Sequence, residues 1–387
     1  IMQVAPSNEG KQGGSRDPML APSVSDSVFT IYSFFAAFSL LLSCPFKLLL
    51  NIIGSKPRVQ LRNMEGKTVI VTGANAGIGK TTAASLYANG ACVIMACRSL
   101  QRGEAARQEI EAMLASPESS RKQLWIHSDR PHPGKLLVRE LDVSDLESVK
   151  RFAISIVKEF SKIDVLVNNA GINGMGTDIP SKTPQGIPFI FGTNFVGHFL
   201  LTRLLHPNLS KSGGGRIVNL SSVMHHWGSK DVSKAVSSGK YPRQYQNSKL
   251  AMVHLTAELQ RQYAETRVSS VAVNPGFVAS DIWRGIRPDS LVGRMFRLAM
   301  AVLALDTKQG AATSVAAACM SDEEICGSKV PLYLVPYWVP SFARLPFEMM
   351  GVFTGVHSCP PRVSKNEKQI SMELWKECTK LCAGYLE

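Results

Sequence analysis

A short apolar run, TVIVTG, passes directly into Thr72-Gly73-Ala74-Asn75-Ala76-Gly77-Ile78-Gly79, and helix-forming residues follow from Lys80. Gly73 permits a tight exit from a strand, Gly77 lets the backbone approach a ligand, and Gly79 lets the following helix pack closely on that strand. The first amides of the helix have no partner within it, and with the positive end of its dipole they face whatever lies above the turn. Pyrophosphate suits such a cradle. The turn therefore predicts a dinucleotide site built from Gly73, Asn75, Ala76, Gly77, Ile78 and Gly79.

The rest of the chain fits that start. Candidate strands at 68–72, 91–97, 136–141, 163–168, 215–221, 267–273 and 330–335 are separated by amphipathic stretches, the alternation of a parallel sheet covered by helices. The fold class is α/β, a single Rossmann-type doubly wound parallel sheet with helices on both faces. A chain of 387 residues that is 45% hydrophobic accommodates one such domain with appendages. The predicted catalytic domain runs over 65–387, with an exposed loop at 115–135, an apolar Pro-rich insert at 331–362 and a C-terminal helix at 365–384.

Ahead of it, residues 1–27 are rich in Ser, Pro, Gly and Asn and predict a disordered tail. Residues 28–46 carry no charge and the apolar character resumes after Lys47, so 28–53 predicts a hydrophobic helix long enough to cross a bilayer once. Lys47, Lys56, Arg58 and Arg62 follow the uncharged run 28–46 and would hold the main domain on the cytosolic side, at the endoplasmic reticulum. A cleaved, organelle-targeting peptide and a helix lying in the membrane interface are the rival readings.

The 43 Lys and Arg against 30 Asp and Glu give a net charge of +13. These basic residues are scattered, without interleaved aromatics, and predict a solvated surface rather than a nucleic-acid groove. Eight cysteines show no C-x-x-C and no metal-ligand spacing, which points to a reducing compartment and to no metal site. Cys378 and Cys382 share one helix face as packing residues. His198, His225 and His226 have no carboxylate or Cys at ligand spacing.

Cofactor choice is readable at the end of the second strand. The sequence there is ACRS, with Arg98 where an NAD-selective site carries Asp or Glu for the ribose hydroxyls. A guanidinium pairs bidentately with a 2′-phosphate, so NADP(H) is the predicted cofactor. Asp142 and Val143, after the third strand, stand where the adenine would lie.

Further motifs follow in order: Asn168-Asn169-Ala170-Gly171, Asn194, Ser221-Ser222, Tyr245-Gln246-Asn247-Ser248-Lys249 and Pro275-Gly276. Together with the glycine turn they resemble the short-chain dehydrogenase/reductase family over about 65–325. ACRS, TNFVGHFLLT, YQNSKLA and LWKECTKL are most similar to its retinol dehydrogenase branch. The resemblance implies that Tyr245 is the acid/base and that Lys249, one helical turn onward, acidifies it. It implies further that Ser222, by its offset from the strand, bonds the substrate oxygen, and that Asn194 holds a water linking Lys249 to solvent. Asn169, Ala170, Gly171, Tyr245, Lys249, Pro275, Gly276 and Val278 complete the implied cofactor contacts.

Between Ser222 and Tyr245 lie 22 residues, longer than the minimal family spacing, and with the apolar insert they suggest a greasy cleft. The expected function is NADPH-dependent hydride transfer to or from a lipophilic carbonyl or alcohol, retinoid-, steroid- or lipid-like. The alternatives are a non-catalytic dinucleotide-binding interaction protein and an organellar reductase of a pigment or lipid precursor. Family resemblance is also compatible with a homodimer paired through the helix of Tyr245.

Overall fold

A computed structural model describes residues 59–387 except 129–130, 175–178, 239–242, 284–293, 295–296, 298–299, 302–303, 327–331, 338–347, 349–352 and 362. The predicted tail and the hydrophobic segment 28–53 lie outside the described residues. Among those described, no helix is long and apolar enough to cross a membrane.

Among the described residues, eight strands form one sheet: β1 (Thr68–Thr72), β2 (Cys92–Cys97), β3 (Lys135–Glu140), β4 (Val165–Asn168), β5 (Arg216–Leu220), β6 (Ser269–Val273), β7 (Tyr333–Val335) and β8 (His357–Ser358). Their order is β3-β2-β1-β4-β5-β6-β7-β8. Pairing is parallel from β3 to β7, whereas β8 runs antiparallel to β7, with Leu334 opposite Ser358. The all-parallel expectation is corrected at that edge. The chain re-enters the sheet inside the predicted 331–362 insert, whose two ends are therefore strands.

Alternation along the strands explains the two-sided burial. Ile70, Ile94, Leu166 and Ile217 face one layer, built on α4 (Leu146–Glu159), α5 (Gly197–Ser210), α6 (Gln244–Gln262) and α8 (Glu367–Leu381). Val69, Val71, Val93, Val167, Val218 and Val271 face the other, built on α1 (Gly77–Ala88), α2 (Leu100–Leu114) and α7 (Thr307–Cys319). Each buried Val or Ile contributes about 1.5–3 kcal/mol relative to exposure, so a one-residue register slip is strongly disfavoured. Cys378 and Cys382 are free thiols within the first layer.

The stretch 115–135 is not all loop, because it contains α3 (Pro117–Gln123). Its Ser and Pro, read as breakers, start a helix instead: the Ser116 side chain accepts from the Ser119 amide, and Pro117 occupies the first turn. Strand order reverses between β1 and β4, and a doubly wound sheet opens its ligand crevice at the carboxyl ends of the strands beside that switch.

Candidate active site

The glycine turn lies at that crevice. Gly73 and Gly77 adopt φ of +66° and +54°, a region that side-chain-bearing residues rarely enter. A Cβ at Gly79 would overlap the Gly73 carbonyl and the Asn169 side-chain amide. The N-cap residue of α1, Ala76, supplies no side-chain bond, and no acid stands in the first turn. The amides of Gly77 and Ile78 thus head a 12-residue helix without a side-chain cap, which fits an anionic phosphate. Arg98 is exposed just past β2, whose Ala96 carbonyl accepts from the Gly73 amide at 2.8 Å. Across the crevice, Asp142 Oδ1 accepts from the amide and hydroxyl of Ser144, which fixes the bend holding buried Val143.

One hydroxyl joins the turn to the centre of the site. Thr72 Oγ1 accepts from the amides of Asn169 and Ala170, both at 2.9 Å, and lies 2.9 Å from His198 Nε2. The Asn194 carbonyl can only accept, so His198 Nδ1 donates to it at 3.2 Å and Nε2 of the neutral ring accepts the Thr72 proton, with the Val167 carbonyl a longer second acceptor at 3.4 Å. Burial lowers the His198 pKa to about 3, so the ring is a neutral strut between β1 and the Asn194 turn and not a base. Neither bond is visible in sequence spacing, which assigns Thr72 and His198 no role.

Asn194 sits in a π-turn, Gly192–Val196, that continues into α5. A π-turn inserts a residue into the helical ladder and re-aims its side chains. Here Asn194 Oδ1 accepts from the Ile172 amide at 2.8 Å, and its Nδ2 donates to the Ile172 carbonyl and to Ser248 Oγ. A Cβ on Gly171 would stand 3.2 Å from Asn194 Oδ1 and 3.5 Å from Lys249 Nζ, so the two side chains flank one small space.

The remaining motif residues meet at β5 and α6. Ser221 Oγ donates to the Lys249 carbonyl at 2.8 Å and so pins α6 to the strand. Its neighbour Ser222 accepts from the Met224 amide and bonds the Tyr245 hydroxyl. Lys249 is buried, its Nζ 5.7 Å from the Tyr245 ring centre and donating to the Leu220 carbonyl at 3.0 Å. Acidification of the phenol was expected, but burial dominates: it pushes Tyr245 up to about 12 despite the Ser222 bond, and it lowers Lys249 to about 8. At neutral pH the site holds a neutral phenol beside a mostly protonated amine.

Pro275-Gly276 and Val278 close the far side. Gly276, at φ +82°, packs so tightly on Tyr337 that a Cβ would overlap its hydroxyl, which accepts from the Phe277 amide at 3.2 Å. Val278 is buried against Gly310 of α7, and its carbonyl accepts from Trp283 Nε1. His226, which had no carboxylate partner by spacing, acquires one from 122 residues away: its Nε2 lies 2.8 Å from Glu348 Oε2.

Two buried histidines predict acid lability. The folded-state pKa values of His198 and His254, about 3 and about 4, lie below the ordinary imidazole value of about 6.5. The unfolded chain therefore binds more protons below that value, and stability present at neutral pH is lost as pH falls. Between pH 7 and pH 5 the pair should remove about 3–4 kcal/mol. Urea unfolding at the two pH values checks this, and His198→Gln should shrink the loss by roughly half; an unchanged midpoint in the wild type would contradict the neutral-strut assignment.

A family model described as short chain dehydrogenase matches residues 67–291, more than half of the chain. Retinol dehydrogenase 12 of Mus musculus is 38% identical over 281 residues, covering 72% of this chain and 81% of its own. Retinol dehydrogenase 14 of Mus musculus is 37% identical over 268 residues, covering 67% and 76%. Among solved structures, an uncharacterized protein from Mycobacterium Paratuberculosis superposes with a TM-score of 0.55 at 29% identity, covering 84% of this chain and 96% of that one. The Pseudomonas aeruginosa RhlG/NADP active-site complex, with a TM-score of 0.51 at 20% identity over 70% and 93% of the two chains, shares the fold. The chain belongs to the short-chain dehydrogenase/reductase family of oxidoreductases, on its retinol dehydrogenase branch.

Proposed function

We propose that the protein is an NADPH-dependent reductase of lipophilic carbonyls, retinoid-like in class, with Tyr245 as proton donor. The observation that carries this reading is the convergence of Ser222, the neutral phenol of Tyr245 and buried Lys249 beside the glycine turn. When bound, the dinucleotide supplies the hydride. Ser222 and Tyr245 then hold the carbonyl oxygen, and the phenol gives its proton as negative charge develops there. The Lys249 ammonium stabilises the phenolate left behind, and Asn194 keeps beside it the space through which a water can return the proton. Gly73, Asn75, Ala76, Gly77, Ile78 and Gly79 would cradle the phosphates, Asp142 and Val143 the adenine, and Asn169, Ala170, Gly171, Pro275, Gly276 and Val278 the nicotinamide half.

Exposed Arg98 beside the turn supports NADPH over NADH, and the retinol dehydrogenases support the lipophilic substrate class. Residues 28–53 support attachment to a membrane, where such substrates dissolve. The test is turnover of a carbonyl panel by the full chain with NADPH and NADH in parallel; activity confined to polar sugars, or a preference for NADH, would overturn the respective parts. Arg98→Ala should weaken NADPH binding by about ten- to a hundredfold, as expected for losing a charge-assisted pair, with NADH binding unchanged. Equal losses for both cofactors would remove Arg98 from the 2′-phosphate.

A further inference from the structure

The chain between β7 and β8 contributes one fully buried acid. Glu348 has no accessible surface, and both its oxygens are engaged: His226 Nε2 stands 2.8 Å from Oε2, and the Tyr333 hydroxyl donates to Oε1 at 2.7 Å. Tyr333 lies on β7, whereas His226 lies in the 3₁₀ turn Val223–Trp227 that leaves Ser222. In the same turn, His225 Nδ1 stands 2.8 Å from the Ser222 carbonyl and 3.4 Å from the Tyr333 oxygen, and the two imidazole rings are 4.2 Å apart. Burial pushes the Glu348 carboxyl up, but the His226 bond, the neighbouring imidazoles and the Tyr333 bond together outweigh it and hold the group at about 2.

The protons sort themselves along this network. Tyr333 gives its only proton to Glu348, so its oxygen is left to accept. His225 Nδ1–H is then directed at the Ser222 carbonyl, with the Tyr333 oxygen as a weaker second acceptor, and His226 Nε2–H is directed at Glu348. One potential ligand atom each from His225, His226 and Glu348 falls within 4.8 Å, a spread that a small metal ion could gather. With both Glu348 oxygens already accepting and His225 Nδ1 turned to a backbone carbonyl, the geometry favours hydrogen bonding over ion binding.

We propose that Glu348 is a positioning residue for catalysis: through His226 directly, and through Tyr333 and His225, it fixes the turn that sets the backbone of Ser222 and so the hydroxyl paired with Tyr245. This rests on the reductase reading above. Displacement of Ser222 by a fraction of an ångström acts on the reacting geometry more than on capture of an apolar substrate, so the effect belongs in kcat.

The test uses the full chain with Glu348→Ala and Glu348→Gln. Gln retains the geometry, since its carbonyl accepts from His226 while its amide donates to a Tyr333 hydroxyl turned to accept. Glu348→Ala should lower kcat about tenfold with KM within about twofold, and hydrogen exchange of the 223–227 amides should accelerate. Glu348→Gln should restore both to near the wild-type level. Should Glu348→Ala fail to fold, Tyr333→Phe breaks one arm while keeping the ring, and should give a smaller change in the same direction. Unchanged exchange, unchanged kcat, a loss confined to KM, or a Gln variant no better than Ala would each overturn the proposal. A wild type inactive on every carbonyl would mark failure of the reductase reading instead, and the exchange data would then decide alone whether Glu348 holds the turn.

Discussion

Replacing Tyr245 with Phe should reduce kcat for carbonyl reduction by about a thousandfold, within the range of a lost general acid, while NADPH affinity changes by less than about twofold. The ring and its packing survive in Phe, so only the proton and its hydrogen bond are removed. Stopped-flow or steady-state NADPH oxidation gives the rate, and fluorescence titration gives Kd. Retention of more than about a tenth of the wild-type rate would remove Tyr245 from proton transfer. The pH dependence follows from the neighbouring amine. Lys249, lowered to about 8 by burial, is protonated below that value and loses its charge above it, whereas Tyr245 at about 12 stays neutral throughout. Reduction should therefore be nearly flat between pH 6 and 7.5 and fall above about 8, as the charge that would stabilise the phenolate disappears. A profile rising through pH 9 would contradict that assignment.

Gly79→Ala should weaken dinucleotide binding by at least about a hundredfold and cost about 1–3 kcal/mol of stability, the range for overpacking a tight site. The added methyl would overlap the Gly73 carbonyl and the Asn169 amide, and neither has room to retreat. The Gly73 amide is tied to the Ala96 carbonyl, and the Asn169 side chain to the Thr72 carbonyl at 2.7 Å. The turn must open, and the first amides of α1 must turn away from the phosphate. Isothermal titration with NADPH, alongside thermal unfolding, separates the two losses. Binding within about threefold of wild type would show that the turn does not depend on close packing at this position.

Much of this arrangement is legible in the sequence because it rests on local patterning. The alternation of Val69, Ile70 and Val71 fixes a strand buried on both faces, and the glycines fix the turn after it. Offsets along a single helix also read directly, and Tyr245 and Lys249 are neighbours on α6 as their spacing requires. What escaped depends on long-range contact or on environment. Nothing near His226 announces Glu348, 122 residues on. The charge of Lys249 was expected to acidify Tyr245, but the balance turns on burial, which a sequence does not display. Ser116 and Pro117 carry loop chemistry but begin a helix, and β8 is too short to show alternation.

The Thr72 hydroxyl couples two parts of the site. A single oxygen is the knot in which the strand before the glycine turn, the Asn169-Ala170 bend and, via His198, the Asn194 π-turn are all tied. On the proposed reading, cofactor grip and proton delivery would share that joint. A Val at that position would keep the shape but remove every bond of the hydroxyl, so it would loosen the glycine turn and the Asn194 turn together.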